Sequence, residues 1–339
     1  MNIGIAAVKV LIRRHKPPLE LNLMTIRILT DSDIESVGMA NAIACMEEAF
    51  RQHAAGSLVA PGRLVSDVQA GQLVFTVGAS VSDSPVLGFR VYDLNQLHSA
   101  KRAEITAVLD GTDGSLRGLV TGPLLGAVRT GAIGGVAVKY LARDDAKSLG
   151  VIGTGFQART QLEAAVKVRE FTNVKVYSRA PQRRTRFAEH MSRKLDREIR
   201  AMDSAQSAVE DADVLICATT SNTPVLDAHW LKPGVHINNV GPKFKNRAEL
   251  DIPVMERARL VTDSPRQAET FGDTFILHGT SMANSIEDLS TIVANASPHA
   301  KSRAPCKAER VPDQITLFIS LGLAGTEVVL ANQLLAERS

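Results

Sequence analysis

Hydrophobic and polar positions change their spacing several times along the chain. Behind Asp31 or Ser32 as a cap, Ile34, Val37, Ala42, Met46, Ala49 and Phe50 recur at helical intervals, which predicts a helix. From residue 62 to 120 the text reads as strands: Arg63–Val68, Leu73–Val77, Gly88–Leu94, Glu104–Leu109 and Leu116–Leu119. Asp110-Gly111-Thr112-Asp113-Gly114 is a turn signal between the last two. Leu124 to Arg143 then reads as one helix carrying Gly126, Ala127, Gly131, Ala132, Gly134, Gly135 and Ala137. An interior glycine costs a helix about 1 kcal/mol relative to alanine. So many small residues predict a helix packed very closely on a neighbour, or one that breaks. From Ser148, apolar strands (Leu149–Ile152, Val174–Tyr177, Val214–Ala218, His236–Val240 and Arg259–Thr262) alternate with helices. That alternation predicts a parallel sheet covered by helices on both faces. Residues 280–310, rich in Ser, Ala and Asn, are the least readable part and include surface loop, and Asp313–Leu335 reads as helical, apolar text.

The fold class expected is therefore α/β, with a Rossmann-type parallel sheet following a mixed α/β front half. At roughly 150 residues per domain, 339 residues point to two domains. A formal net charge of +3 argues for neither a nucleic-acid nor a membrane partner, and 4% aromatic residues leave no platform for stacking single strands. Cys45, Cys217 and Cys306 lie far apart, so neither a disulfide framework nor a metal site is expected, and a cytoplasmic setting is. No apolar stretch approaches the length that spans a bilayer. At the start of the chain, Ile3–Ile12 is apolar apart from Lys9, and Arg13, Arg14, His15 and Lys16 come after it. That is the wrong order for a secretory signal. Residues 1–23 read as an N-terminal extension, a mitochondrial presequence being the alternative, and Met24 opens the folded part.

The sharpest motif is Gly153-Thr154-Gly155-Phe156-Gln157-Ala158, which follows the strand Leu149–Ile152 and opens the helical run Arg159–Val168. In that setting Gly153 permits a tight turn, Gly155 lets backbone amides approach a pyrophosphate, and Ala158 allows close helix–strand packing. A carboxylate is expected at the end of the second strand when the ribose 2′-hydroxyl of NAD is held. Ser178 and Arg179 stand there instead, with Arg183 and Arg184 on the next turn. A hydroxyl and a guanidinium suit the 2′-phosphate of NADP, so NADP or NAD is the expected cofactor, with NADPH preferred or accepted. Thr219 and Thr220 follow a strand at the sheet edge where that cofactor should lie.

With that loop placed behind Val128-Arg129-Thr130-Gly131-Ala132 and Lys139-Tyr140-Leu141-Ala142-Arg143, the chain resembles the ornithine cyclodeaminase/mu-crystallin family. The resemblance runs from about Met24 to Phe275 and resumes over Asp313–Gly322. It implies a central Rossmann domain at 141–312 and a substrate-binding, dimerising domain built from 24–140 and 313–339. It further implies a homodimer, carboxylate-binding roles for Arg63 (in Pro61-Gly62-Arg63) and Arg129, and cofactor contacts from Thr130, Val240 and Ser320. Two arginine forks can clamp one α-carboxylate and aim its α-carbon at a nicotinamide.

Two departures stand beside these matches. Gly88-Phe89-Arg90 has arginine where the family has lysine, and arginine cannot lend a proton near neutral pH. In Asn239–Leu250, Lys243 takes the place of the aspartate that cyclodeaminases use. The expected activity is NAD(P)H-dependent reduction of a small imino acid, or the reverse amino-acid dehydrogenation. A cyclodeaminase that recycles NAD, and a mu-crystallin-like binding protein without turnover, are the alternatives. Either Lys243 turns out to solvent, or with Arg90 it makes the pocket positive and repels a cationic substrate tail. The second case favours neutral or acidic imino acids, a dicarboxylic imine above all.

Overall fold

The computed structural model describes residues 26–68, 71–82, 84–94, 103–296, 311 and 313–337. The extension at 1–23, the opening Met24 and Cys306 lie outside them. Two sheets organise the chain. The first has the order β1-β7-β6-β5-β4-β2, with β3 also on β4. Its strands are β1 (Ile28–Leu29), β2 (Leu58–Val59), β3 (Leu64–Val68), β4 (Gly71–Ser80), β5 (Val86–Asp93), β6 (Glu104–Asp110) and β7 (Leu116–Thr121). All its pairings are antiparallel except β1 with β7. The stretch after Asp31 is not one helix. It forms α1 (Asp31–Ile34), a 3-10 turn, and then α2 (Met39–Ala54), because Gly38 at φ 73° breaks the run.

Helix α3 (Leu124–Leu141) is continuous, so its glycines mark contact rather than a break. A Cβ at Gly131 or Gly134 would run into Thr160 or Gln161 of α4 (Phe156–Val168). By length and composition α3 could cross a membrane, at variance with the sequence reading, yet 78% of it is buried inside this protein. Its surroundings are α2, α4 and the ends of the second sheet. An all-round apolar helix of this kind belongs to the core.

The second sheet has the order β10-β9-β8-β11-β12-β17-β15-β16, and all its pairings are parallel. The strands are β8 (Ser148–Ile152), β9 (Asn173–Tyr177), β10 (Arg200–Ala201), β11 (Val214–Cys217), β12 (His236–Asn239), β15 (Ala258–Thr262), β16 (Glu287–Asp288) and β17 (Ile315–Ile319). Along the chain, α5 (Pro181–Leu195), α6 (Ala205–Val209), α7 (Ile252–Glu256) and α8 (Pro265–Phe271) come between its strands, and a small hairpin, β13 (Lys243–Phe244) with β14 (Arg247–Ala248), stands outside it. Strand order reverses between β8 and β11, which opens a crevice at their carboxyl ends. Two buried clusters form the core of this half. A third joins α2, α3 and the tail helix α10 (Thr326–Glu337) over the first sheet.

One boundary differs from the expectation. The segment 313–339 does not belong wholly to the first half. Ile315–Ile319 is a completely buried strand between β12 and β15, and only α10 packs on the first sheet. A short continuous apolar run reads the same for a buried strand as for a helix. Within 280–310, where the sequence is least readable, Leu289–Asn295 forms a helix (α9) lying against α2; 297–310 are outside the described residues.

Candidate active site

The carboxyl ends of β8, β11, β12 and β17 stand side by side, placing Gly153, Thr219, Val240 and Ser320 along one edge. Neighbouring strands lie about 4.8 Å apart, so this edge spans roughly 14 Å. At its first end Gly153 has φ 115°, a conformation a side chain resists, and a Cβ there would strike the carbonyl of Ala218. Gly155 is the N-cap of α4 without a side-chain cap, and a Cβ on it would meet nothing within 4 Å. Space above an uncapped helix start fits a pyrophosphate. Thr154 and Phe156 line this opening partly and openly exposed, Ala158 is buried, and the buried Gln157 Oε1 has no hydrogen-bond partner. Thr154 Oγ1 donates to Ser178 Oγ at 3.3 Å, joining the loop to the end of β9. Arg179 is exposed beyond it. Arg184 turns to Asp203 at 2.5 Å and lies over the Tyr177 ring, whereas Arg183 stays exposed. The residues present fit a dinucleotide.

Farther along the edge, Glu249 ties the loops together. It accepts from Thr219 N and Oγ1 at 2.8 Å each, from Asn239 Nδ2 at 2.8 Å and from Gly241 N at 2.5 Å. Burial raises its pKa against those donors. Thr219 is thus engaged by the protein, while Thr220 is exposed. Thr130 donates to Gly126 O, and its own carbonyl accepts from Gln161, so α3 and α4 are latched beside the loop.

The Ser320-Leu321-Gly322 segment after β17 is where the charged groups meet. Asp263, wholly buried, accepts from Leu321 N at 2.7 Å and Gly322 N at 2.9 Å, fixing the segment. Arg63 Nη2 donates to Leu321 O at 2.7 Å. Gly322 has φ 90°, and a Cβ there would collide with Arg63 Nη2 and crowd Arg129 Nη1. Both guanidinium groups therefore converge over this glycine. The Nε of each is buried without a hydrogen-bond partner. Buried donors left unmade are costly, and a carboxylate lying over Gly322 would be placed to complete them.

Lys243 is 7% exposed, so it does not turn to solvent. Its Nζ donates to Ser320 O, and to Val240 O at 3.3 Å. Burial lowers its pKa to about 8, with Arg63 adding to the effect and Glu249 and Asp263 opposing it. Arg90 does not add free positive charge, contrary to the sequence reading. It is paired with Glu104 and, at 3.1 Å, with Glu327, and Glu327 also pairs with Arg129. Burial alone would raise the Glu327 pKa, but Arg129 and Arg90 hold it below the ordinary value. No motif in the sequence marks Glu104, Glu249 or Asp263. Glu327 did carry a signal, as the one charged residue between Asp313 and Glu337 in an apolar text.

Fold and site together define a Rossmann-type α/β protein with two arginines converging over Gly322 at the carboxyl edge of its sheet. A model of the ornithine cyclodeaminase/mu-crystallin family matches residues 25–338, and the chain belongs to that family. It is 30% identical to an alanine dehydrogenase of Archaeoglobus fulgidus over 90% of this chain and 92% of that one. The structure of Thermococcus litoralis Δ1-pyrroline-2-carboxylate reductase with NADH and L-proline superimposes with a TM-score of 0.77. It is 32% identical, covering 91% of this chain and 96% of the other. An archaeal alanine dehydrogenase dimer with bound NAD also gives 0.77, at 26% identity over 92% and 95%.

Proposed function

We propose that this protein is an NAD(P)H-dependent reductase of small imino acids, able to run the reverse amino-acid dehydrogenation. The observation that carries this reading is the convergence of Arg63 and Arg129 over Gly322, on the edge that also holds Gly153 and Thr219. A carboxylate clamped there has its α-carbon toward the nicotinamide end of a dinucleotide whose pyrophosphate sits at Gly155. An imine so anchored needs orientation and a dry hydride path. The names of the similar proteins, an alanine dehydrogenase and a pyrroline-2-carboxylate reductase, support the same chemistry. In place of the aspartate that a cyclodeaminase uses, Lys243 sets an ammonium beside the clamp, which disfavours a substrate with a cationic tail. At about 4 Å and an effective dielectric near 20, one like-charge contact costs on the order of 4 kcal/mol before relaxation. Neutral and acidic imino acids are the substrates this charge accepts. Ser178 and Arg179 favour NADPH or make it acceptable.

We further propose a homodimer formed through the outer face of the first sheet. Across it Val77, Phe89, Ala107, Leu119 and Ile28 fall in one row, and Leu64, Phe75, Val91 and Ile105 in the next. Val77, Phe89, Ile105, Ile28 and Leu64 are exposed. An apolar face of this extent calls for a partner, and a second copy suits it because a relative of the same fold is a dimer.

The test is a screen of acidic, neutral and basic 2-imino acids with NADH and NADPH, following coenzyme absorbance and ammonia. Net coenzyme oxidation, strongest with acidic or neutral imines, is the expected result. Ammonia release from ornithine without net redox change would make the protein a cyclodeaminase. Saturable binding without either would make it a binding protein.

A further inference from the structure

We propose that Lys243 is the proton donor of this reaction: its ammonium protonates the substrate nitrogen as the adjoining carbon takes up hydride. In the dehydrogenase direction its neutral amine takes the proton back. The assignment rests on the imine-reductase reading above.

The placement is geometric. Lys243 and Arg63 lean on consecutive carbonyls of one short segment, Ser320 O and Leu321 O, and Arg129 reaches the next residue, Gly322. A carboxylate held by the two arginines therefore lies beside Nζ. Both partners of Nζ are backbone carbonyls, which can hold an ammonium but cannot neutralise it. An ammonium has three protons, so one remains uncommitted. Among the described residues no carboxylate comes within ion-pair distance of Nζ. Its proton can leave and return without breaking a salt bridge.

The charged groups facing Nζ are Glu249 from beyond β14, Asp263 from the end of β15, and Arg63 from before β3, with Arg129 of α3 behind Asp263. Burial is the largest influence, and it brings the lysine to about 8, where it both carries and releases a proton near neutrality. The other cations cannot do this work. A guanidinium does not give up a proton near neutral pH, and Arg90 is committed to two carboxylates.

The step balances. A C–H bond forms with hydride from the reduced nicotinamide, which is oxidised. The C=N π pair moves to nitrogen, an N–H bond forms there, and one N–H bond of Lys243 breaks. Water restores the lysine proton. Without a donor, a neutral imine would have to develop an anionic nitrogen in a buried site.

Lys243→Arg separates this role from a structural or purely electrostatic one, since arginine keeps the charge and the tie to Ser320 but not the proton. The measurement is kcat/KM for reduction of two cyclic imino acids whose own imine pKa values differ, from about pH 6 to about pH 10. In the unaltered protein both profiles should fall tenfold per pH unit above about pH 8, at the same place. In K243R the limb should vanish and kcat should drop about a hundredfold, with cofactor affinity unchanged. A limb that follows each imine's own pKa overturns the assignment, and so does a K243R that keeps kcat within about twofold. Should K243R fail to fold, the two-imine comparison on the unaltered protein decides alone. No coenzyme oxidation with any imine would instead sink the reductase reading, and this assignment with it.

Discussion

At the scale of single residues, the site is built by long cationic side chains reaching a backbone that glycine leaves open. Gly322 permits two guanidinium groups to meet where any side chain would keep them apart. Gly155 leaves the start of α4 free for an anion. Coenzyme choice also belongs to this scale. Arg179 stands exposed at the end of β9, where a 2′-phosphate would come, and a charge-assisted hydrogen bond is worth about 1.5–3 kcal/mol. Arg179→Ala should therefore lower kcat/KM for NADPH by roughly 10- to 100-fold and leave NADH little changed. Equal loss with both coenzymes, or none with either, would show that this side chain does not read the 2′ position. Lys243 illustrates the opposite lesson. Its residue type and departure from the family pattern are legible in the sequence, but not that it turns inward onto Ser320.

Among elements, the informative contact is that of α10 with β5 and α3. Glu327, in the first turn of α10, holds Arg90 of β5 and Arg129 of α3 together in a buried cluster. Removing one member of a buried ion pair costs about 3–5 kcal/mol, because the remaining charges lose their partner. Glu327→Gln should lower unfolding stability by that order near neutral pH. The pH dependence follows from linkage. Arg129 and Arg90 hold the folded-state pKa of Glu327 below its unfolded value. The resulting stability is complete above the unfolded carboxyl value and is lost as pH falls through the folded one. Urea unfolding between neutral pH and pH values under the ordinary carboxyl range should thus show a shallower acid loss in E327Q than in the unaltered protein. Parallel acid curves would contradict the role given to this carboxylate. The glycine stripe of α3 predicts either close packing or a break; the helix is continuous, and α4 supplies the close contact.

For the whole molecule, the chain crosses between its two halves more than once. After the second sheet has been nearly completed, α9 returns to pack on α2, and β17 then enters the sheet between β12 and β15 before α10 closes over the first sheet. The same strand that completes the parallel sheet delivers Ser320-Leu321-Gly322 to Arg63 and Arg129, so the proposed carboxylate clamp would be made jointly by both halves. Association is the other property at this scale. Phe89→Asp alters a side chain on the outer sheet face and leaves the inner packing of β5 untouched. In sedimentation at micromolar concentration with cofactor, the unaltered chain should run at twice its 36.4 kDa mass and the variant as a monomer. A monomeric unaltered protein would remove the proposed interface.

The sequence alone determined the α/β class and the glycine loop between strand and helix, because each is written in local spacing or residue type, whereas the roles proposed for the two arginines follow from the family resemblance. Tertiary structure decided the rest. Whether Ile315–Ile319 is strand or helix depends on a vacancy between β12 and β15 that only the assembled sheet creates. Whether Arg90 is a free charge depends on Glu104 and Glu327, which are 14 and 237 residues away along the chain. Electrostatic environment is set by distance in space, and no periodicity in the text records it.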